Sequence, residues 1–235
     1  MLLVGCPLSD RAWVISDYTR HVASAAVEAG LEPGKDFRFI FAGNPADETF
    51  NDVRCFPLTT IIDTGEPLRT DERDWYKPGR FDHMVDVRNA LLAGVRELEP
   101  DLFLSLDSDI MCHPQHIKLM MAALSERGWD AVGGKTHMTY GTGLHPSYLV
   151  ERNETTFDRT AAEGCFPVDI IMAMKLMTPP TYNIDYESHI QGEDIGWSKA
   201  VRRAGYKLGW EGTVTSKHIL NRNFPNDESY GKTWP

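Results

Sequence analysis

The first half of the chain alternates short apolar runs with longer stretches of helical spacing. Leu2–Gly5 is apolar and predicts a buried strand. Arg11–Leu31 follows, with Trp13, Val14, Tyr18, Val22, Ala25 and Val27 at helical intervals and Gly30 placed to stop it. Phe37–Ala42 and Thr59–Asp63 predict a second and a third strand. Residues 64–82 are polar and carry Gly65, Pro67, Pro78 and Gly79, which predicts a long loop of the kind that closes over a ligand. Met84–Leu98 has the apolar spacing of a helix, and Leu102–Leu106 predicts a fourth strand. Pro114 stands at the start of an apolar-rich helix ending near Gly128, and Ala131–Val132 opens another strand.

The second half is less regular. Val168–Leu176 is apolar and Met-rich, with Pro179–Pro180 as its stop. Asp194–Gly205 predicts a helix, and Gly205–Leu208 leads into a strand. Residues 221–235 are polar and predict an irregular tail. Strand–helix alternation of this kind predicts an α/β fold: one Rossmann-like domain with a mostly parallel central sheet and helices on both faces. No linker divides the chain. The expected division is into two halves, residues 1–111 and 112–220, ahead of the tail.

Charge and cysteine content narrow the function classes. The formal net charge is −10, which disfavours general binding to nucleic acid or to an anionic membrane surface. The four cysteines, Cys6, Cys55, Cys112 and Cys165, form no CxxC pair, so a structural zinc site is not expected. Sparse thiols and the absence of a signal peptide or membrane-length apolar segment lead to the expectation of a cytoplasmic protein.

Three patterns carry chemistry. Leu104-Ser105-Leu106-Asp107-Ser108-Asp109 is a hydrophobic strand ending in two carboxylates one residue apart. In open α/β sheets ligands bind beyond the carboxyl ends of strands, and residues i and i+2 of an extended segment point the same way. Asp107 and Asp109 are therefore candidate ligands for Mg²⁺ or Mn²⁺, hard cations that share their shell with substrate phosphates. The competing reading is a solvated turn. Glu193-Asp194, after Gly192, opens a predicted helix. Two acids there suit the helix dipole, but they also suit a general base for an attacking hydroxyl. His218, in Thr215-Ser216-Lys217-His218, is the third candidate. His113 and His116 are expected to be surface residues at a helix start, and Met172, Met174 and Met177 to be packing residues. Gly133-Gly134-Lys135 lacks the spacing of a Walker A loop.

Together these elements resemble the GT-A glycosyltransferases, particularly the inverting family 2 type, over roughly Leu2 to Leu220. The resemblance rests on the DxD-type pair Asp107/Asp109, the ED pair Glu193/Asp194, the Ala204-Gly205-Tyr206 stretch beyond it, His218 near the end, and Arg88-Asn89 ahead of the DxD strand. It implies a metal held by Asp107, Asp109 and His218, and a general base at Asp194 assisted by Glu193. It also implies nucleotide contacts from Pro7, Asp10, Arg11, Asp63, Arg88 and Asp107, with a UDP-sugar favoured as donor and a GDP-sugar as the alternative. Val168–Leu176 would lie near the acceptor, with Asp169 shaping that site. One departure follows the second strand. The family usually has an acid there that contacts uracil, and this chain reads Gly43-Asn44-Pro45.

Two other readings stay open. A nucleotidyltransferase or sugar-nucleotide pyrophosphorylase would share the sheet and the metal but would usually carry a glycine-rich phosphate loop. Gly5-Cys6-Pro7-Leu8-Ser9-Asp10 has one glycine. The same transfer chemistry on a hydroxylated DNA base, as in phage-type DNA glucosylation, is the second, with nucleic acid as the acceptor partner.

Overall fold

The computed structural model describes residues 1–56, 58–65, 80–140, 143–145, 148–153, 156–158 and 163–219. The centres of the expected lid and tail, residues 66–79 and 220–235, lie outside the described residues.

Residues 1–111 form β1 (Leu2–Pro7), α1 (Ile15–Glu28), β2 (Phe37–Gly43), α2 (Thr49–Val53), β3 (Thr59–Asp63), α3 (Arg80–Leu98), β4 (Leu102–Leu106) and β5 (Ile110–Met111). Beyond them come α4 (His116–Arg127), β6 (Ala131–Tyr140), β7 (Gly143–His145), β8 (Tyr148–Asn153), β9 (Thr156–Asp158), β10 (Cys165–Pro167) and β11 (Ile170–Ile171). The chain continues through β12 (Met174–Met177), α5 (Pro179–Tyr182), α6 (Glu193–Arg203) and β13 (Leu208–His218). Among the described residues one sheet runs β10-β13-β6-β12-β4-β1-β2-β3, with β5 beside β13 and β7 beside β6. β11, β8 and β9 form a small second sheet.

The pairings make β3, β2, β1, β4, β6 and β13 run one way, with β12 and β10 reversed. The sheet is thus mostly parallel, as the strand–helix alternation predicts. Period-two alternation in β1 explains the two covered faces. Val4 and Cys6 join the apolar layer of α1 and α4. Leu3 joins the layer of α3 and α6, with Leu91, Leu92, Val95, Trp197 and Val201. Burying each such large side chain contributes about 1.5–3 kcal/mol. This is a GT-A-type, Rossmann-like architecture. From β1 the chain steps to β2 on one side, while β4 lies on the other. The order β3-β2-β1-β4 therefore reverses at β1, and open α/β sheets bind ligands beyond the carboxyl ends of the strands at such a switch point, here β1 and β4.

Several local expectations change. Val168–Leu176 is broken into β11 and β12, because Ala173 takes a positive φ of 29° between them. β12 then enters the main sheet antiparallel between β4 and β6. Pro179 and Pro180 do more than stop that run: they open α5, where missing N–H groups cost nothing. His116 is not a surface residue. It is fully buried, with Nδ1 2.7 Å from the Ser216 hydroxyl of β13. Burial pushes its pKa down to about 4, so the imidazole is neutral. Met174 and Met177 are fully buried, as packing residues should be.

Candidate active site

The loop after β1 is shaped by its neighbours rather than by glycine. Asp10 adopts a positive φ of 51°. Its backbone N–H donates to Asp47 at 2.8 Å, and the Ser9 hydroxyl donates to the same carboxylate at 3.3 Å. The Arg11 N–H donates to Thr49 Oγ1 at 2.9 Å, and the Thr49 N–H donates to Asp47 at 2.8 Å. Burial opposes ionisation of Asp47, but these hydrogen bonds outweigh it and hold its pKa below the usual carboxylate range. The loop is thereby docked on the start of α2. From it the Arg11 guanidinium reaches Asp109, with Nη2 3.4 Å from Oδ2.

Asp107 and Asp109 do not lie on an extended strand. β4 ends at Leu106, and the Ile110 N–H donates back to the Asp107 carbonyl at 3.0 Å, closing a tight turn through Ser108. The two carboxylates consequently meet different cations. Asp107 accepts from Arg88 Nη2 at 2.9 Å. Asp109 faces Arg11 and His218, whose Nε2 is 3.1 Å from Oδ1. Sheet register explains the second meeting: His218 pairs with Ile110, and the Ile219 N–H donates to the Asp109 carbonyl at 2.7 Å.

Arg88, on α3 and only 4% exposed, joins the two motifs. Its Nε donates to Glu193 at 2.9 Å, its Nη2 donates to Asp107 and stands 4.0 Å from Asp194, and its Nη1 reaches the Ser105 hydroxyl at 3.5 Å. Only a planar fork can serve partners in these directions at once. Burial disfavours the charge, but Asp107, Asp194 and Glu193 outweigh it and keep the guanidinium protonated. Asn89 fixes the segment ahead of α6. Its amide donates to the Tyr186 carbonyl at 3.1 Å and accepts the Tyr186 N–H at 2.7 Å.

On α6 the two acids differ. Asp194 pairs through Oδ1 with the ammonium of Lys175, and its Oδ2 accepts the Ala173 N–H at 3.2 Å. Burial opposes its charge, yet Lys175 and then Arg88 hold its pKa below the usual range. The pKa of Glu193 is pushed up by burial first and by Asp194 next, with Arg88 offsetting only part. Ala173 also ties the motifs together, since its carbonyl accepts the Asp107 N–H at 3.0 Å.

The expected site residues thus fall into two adjoining sets. Asp107, Arg88, Glu193 and Asp194 form one; Asp109, Arg11 and His218 form the other. Pro7 ends β1 and Asp10 lies in the loop that follows it. Asp63 ends β3, two strands away, where it is exposed and accepts the Gly65 N–H at 2.8 Å. Asp169 pairs with Arg202 of α6 at 2.9 Å. Sequence reasoning missed Asp47, Ser105 and Lys175. Lys175 left one signal, a charge inside the apolar run VDIIMAMKL.

The residues fit a hard divalent cation in part. Two cis ligands of an octahedral ion with bonds of about 2.1 Å lie roughly 3 Å apart. Asp109 Oδ1 and His218 Nε2 stand 3.1 Å apart in a hydrogen-bonded pair, so a cation would have to replace the shared proton, and oxygen with imidazole suits Mn²⁺. Asp107 adjoins them with its side chain 30% exposed, but it is turned to Arg88. Among the described residues no three His, Cys, Asp or Glu side chains already converge as a shell.

No protein family and no curated protein sequence matches the chain. Solved structures do. TarS 1–349 of S. aureus in complex with UDP-GlcNAc is 14% identical with a TM-score of 0.59, the match covering 100% of this chain and 61% of that one. TarS in complex with UDP is 12% identical, also at 0.59, covering 94% and 60%. A UDP-glucose pyrophosphorylase complexed with UDP-glucose is 11% identical with a TM-score of 0.54, covering 93% of this chain and 91% of that one. The chain spans about 60% of the TarS structures' length. At such identities the likeness is one of fold. These neighbours were solved with a uridine nucleotide or nucleotide-sugar bound.

Proposed function

We propose that this protein is a metal-dependent glycosyltransferase, of the hexosyltransferase type, that moves a sugar from a nucleoside-diphosphate sugar to an acceptor hydroxyl with inversion. A UDP-sugar is the favoured donor, in keeping with the ligands of the structural neighbours. The observation that carries the reading is the Arg88 bridge, which binds Asp107 and Glu193 at 2.9 Å each and so sets the DxD and ED acids on one guanidinium.

In this reading residues 1–111 hold the nucleotide, through the Pro7–Arg11 loop and Asp63, and the acceptor approaches over α6. Asp109, His218 and Asp107 would hold Mn²⁺ or Mg²⁺, which when bound neutralises the diphosphate as leaving group. Arg11, already beside Asp109, adds positive charge on that side. Asp194 accepts the proton of the attacking hydroxyl. The acceptor oxygen bonds to the anomeric carbon as the carbon–oxygen bond to the diphosphate breaks, and that electron pair leaves with the nucleotide. Glu193, anchored by Arg88, orients the acceptor or the loop before α6. A single displacement of this kind inverts the anomeric centre. Free thiols at Cys6, Cys55, Cys112 and Cys165 support a cytoplasmic setting. Among the described residues no helix is long and apolar enough to cross a membrane. A hydroxylated DNA base is a disfavoured acceptor at a net charge of −10.

The test is metal-dependent turnover of UDP-GlcNAc or UDP-glucose. EDTA should abolish it and Mn²⁺ restore it, and Asp109→Ala should lose both donor binding and turnover while remaining folded. Full activity in that variant removes the metal assignment. The second reading, a sugar-nucleotide pyrophosphorylase, is favoured by the 91% coverage of the UDP-glucose pyrophosphorylase chain. The single glycine in Gly5–Asp10 speaks against it.

A further inference from the structure

Lys175 is an anomaly of the fold. It lies on β12, inside the main sheet between β4 and β6, and its side chain is fully buried. Its neighbours along the strand are Met174, Leu176 and Met177, all fully buried and apolar. Lysine is almost never fully buried unless paired, and a buried ammonium costs several kcal/mol before compensation. A methionine would fill a similar volume without that cost, and replacing a buried ion pair by apolar groups is often neutral or stabilising. Packing therefore gives no reason for a charge here.

What the charge does is visible in its surroundings. Nζ pairs with Asp194 Oδ1. The rings of Tyr186 and Trp197, 5.4 and 5.8 Å from Nζ, flank the ammonium at cation–π distance. Burial disfavours the charged lysine, but Asp194 outweighs it and keeps it protonated. The groups that face Asp194 are Lys175 from β12, Arg88 from α3, Glu193 from α6 and Tyr186 from the segment before α6, with Asp107 beyond Arg88 at the end of β4. Arg88 is already shared between Asp107 and Glu193. Lys175 is thus the cation committed to Asp194, and with the Ala173 N–H it fixes the plane of the carboxylate. A carboxylate has about four acceptor sites, so two bonds leave it able to take a proton.

We infer that Lys175 is a positioning residue for proton transfer: its buried ammonium holds Asp194 ionised and oriented as the base that receives the proton of the attacking hydroxyl. The inference rests on the assignment of Asp194 as base. Water serves as the acceptor in the test. Its oxygen bonds to the anomeric carbon, its proton passes to Asp194, and the electron pair of the broken bond leaves with UDP.

The experiment is the pH profile of kcat for Mn²⁺-dependent hydrolysis of UDP-GlcNAc, with donor and Mn²⁺ saturating, in the full chain and in Lys175→Met, Lys175→Arg and Asp194→Asn. The kcat profile reports ionisations in the bound complex. Wild type should show no acid limb above about pH 5, a unit above the ordinary Asp value, other than one it shares with Asp194→Asn, which belongs to His218 on the metal side. Lys175→Met should move the acid limb up by about 1–3 units, the shift a lost adjacent opposite charge gives, and recover above that limb. Lys175→Arg, which keeps the charge, should track wild type. A Lys175→Met profile that is unshifted, or lowered by the same factor at every pH, overturns the inference. Asp194→Asn separates the two claims. Its kcat should fall about 10²–10⁴-fold, and wild-type turnover in that variant overturns the base assignment itself. Should the Lys175 variants fail to fold, wild type against Asp194→Asn decides: an acid limb at about pH 6 that wild type shows and Asp194→Asn lacks belongs to Asp194 and contradicts a carboxylate held ionised, whereas a profile of the same shape in both supports it.

Discussion

Replacing Arg88 by methionine should be the most damaging single change to the site's architecture. The guanidinium is 4% exposed and donates to Asp107 and Glu193 at 2.9 Å each. Methionine fills much of its volume but leaves those carboxylates without their cation. Removing one partner of a buried ion pair costs about 3–5 kcal/mol. The structure argues for the lower end. The Asp107 side chain is 30% exposed and regains water, and Asp194 keeps Lys175. Glu193, its pKa already raised, can relieve its burial by taking a proton. For a chain of this size about 3 kcal/mol corresponds to a fall in Tm of roughly 6–12 °C. Thermal unfolding by circular dichroism at pH 7 reads this directly. Arg88→Lys should lie between wild type and Arg88→Met, because a point charge does not bridge both acids. The reasoning is refuted if Arg88→Met melts within about 2 °C of wild type, or if Arg88→Lys is indistinguishable from wild type, since a kcal/mol is worth at least that much in Tm.

Asp47→Ala should cost about 1 kcal/mol in urea unfolding, small because the carboxylate is half-exposed, and should raise the donor KM by loosening the Ser9–Arg11 loop with kcat nearly unchanged. An unchanged KM contradicts the loop's role. Gly196→Ala on α6 should destabilise strongly, because a Cβ there would stand 1.9 Å from the Glu187 carbonyl oxygen and push the ED end of the helix away; normal melting would contradict that close approach. The Asp194 carboxylate, with its pKa lowered by Lys175, contributes stability above the ordinary Asp value of about 3.9 that is lost as pH falls through its folded value. The stability gap between wild type and Asp194→Asn should therefore narrow in acid, and a gap that widens there would refute the pairing. The transferred sugar should be β-linked when the donor is α-linked, read from the anomeric coupling in proton NMR, and an α-linked product would indicate retention.

Much of the first half of the chain is legible in the sequence because its strands are short apolar runs between well-spaced helices. Thr59–Asp63 and Leu102–Leu106 have the bounds their patterns predict. Arg88, Asp107, Glu193 and Asp194, far apart in the chain, do meet. Other features needed tertiary information. Apolar periodicity alone does not tell that Val168–Leu176 is two strands, because the break at Ala173 is a backbone conformation with no glycine to mark it. The burial of His116 is set by β13 packing across α4, through Ser216, one hundred residues away. The split of Asp107 and Asp109 between different cations follows from a turn where the i, i+2 argument assumes an extended strand. The burial of Lys175 follows from β12 lying inside the sheet between β4 and β6, a pairing that local sequence does not specify.

The central claim is transfer from a nucleotide-sugar with the nucleoside diphosphate as leaving group. The most direct measurement is to incubate the protein with UDP-sugar labelled in the sugar, Mn²⁺, and either water or pyrophosphate, and to separate the nucleotide products. The account predicts UDP together with free or transferred sugar, dependent on Mn²⁺, lost in Asp109→Ala and indifferent to pyrophosphate. Formation of UTP and sugar 1-phosphate only when pyrophosphate is added would contradict it and identify a pyrophosphorylase.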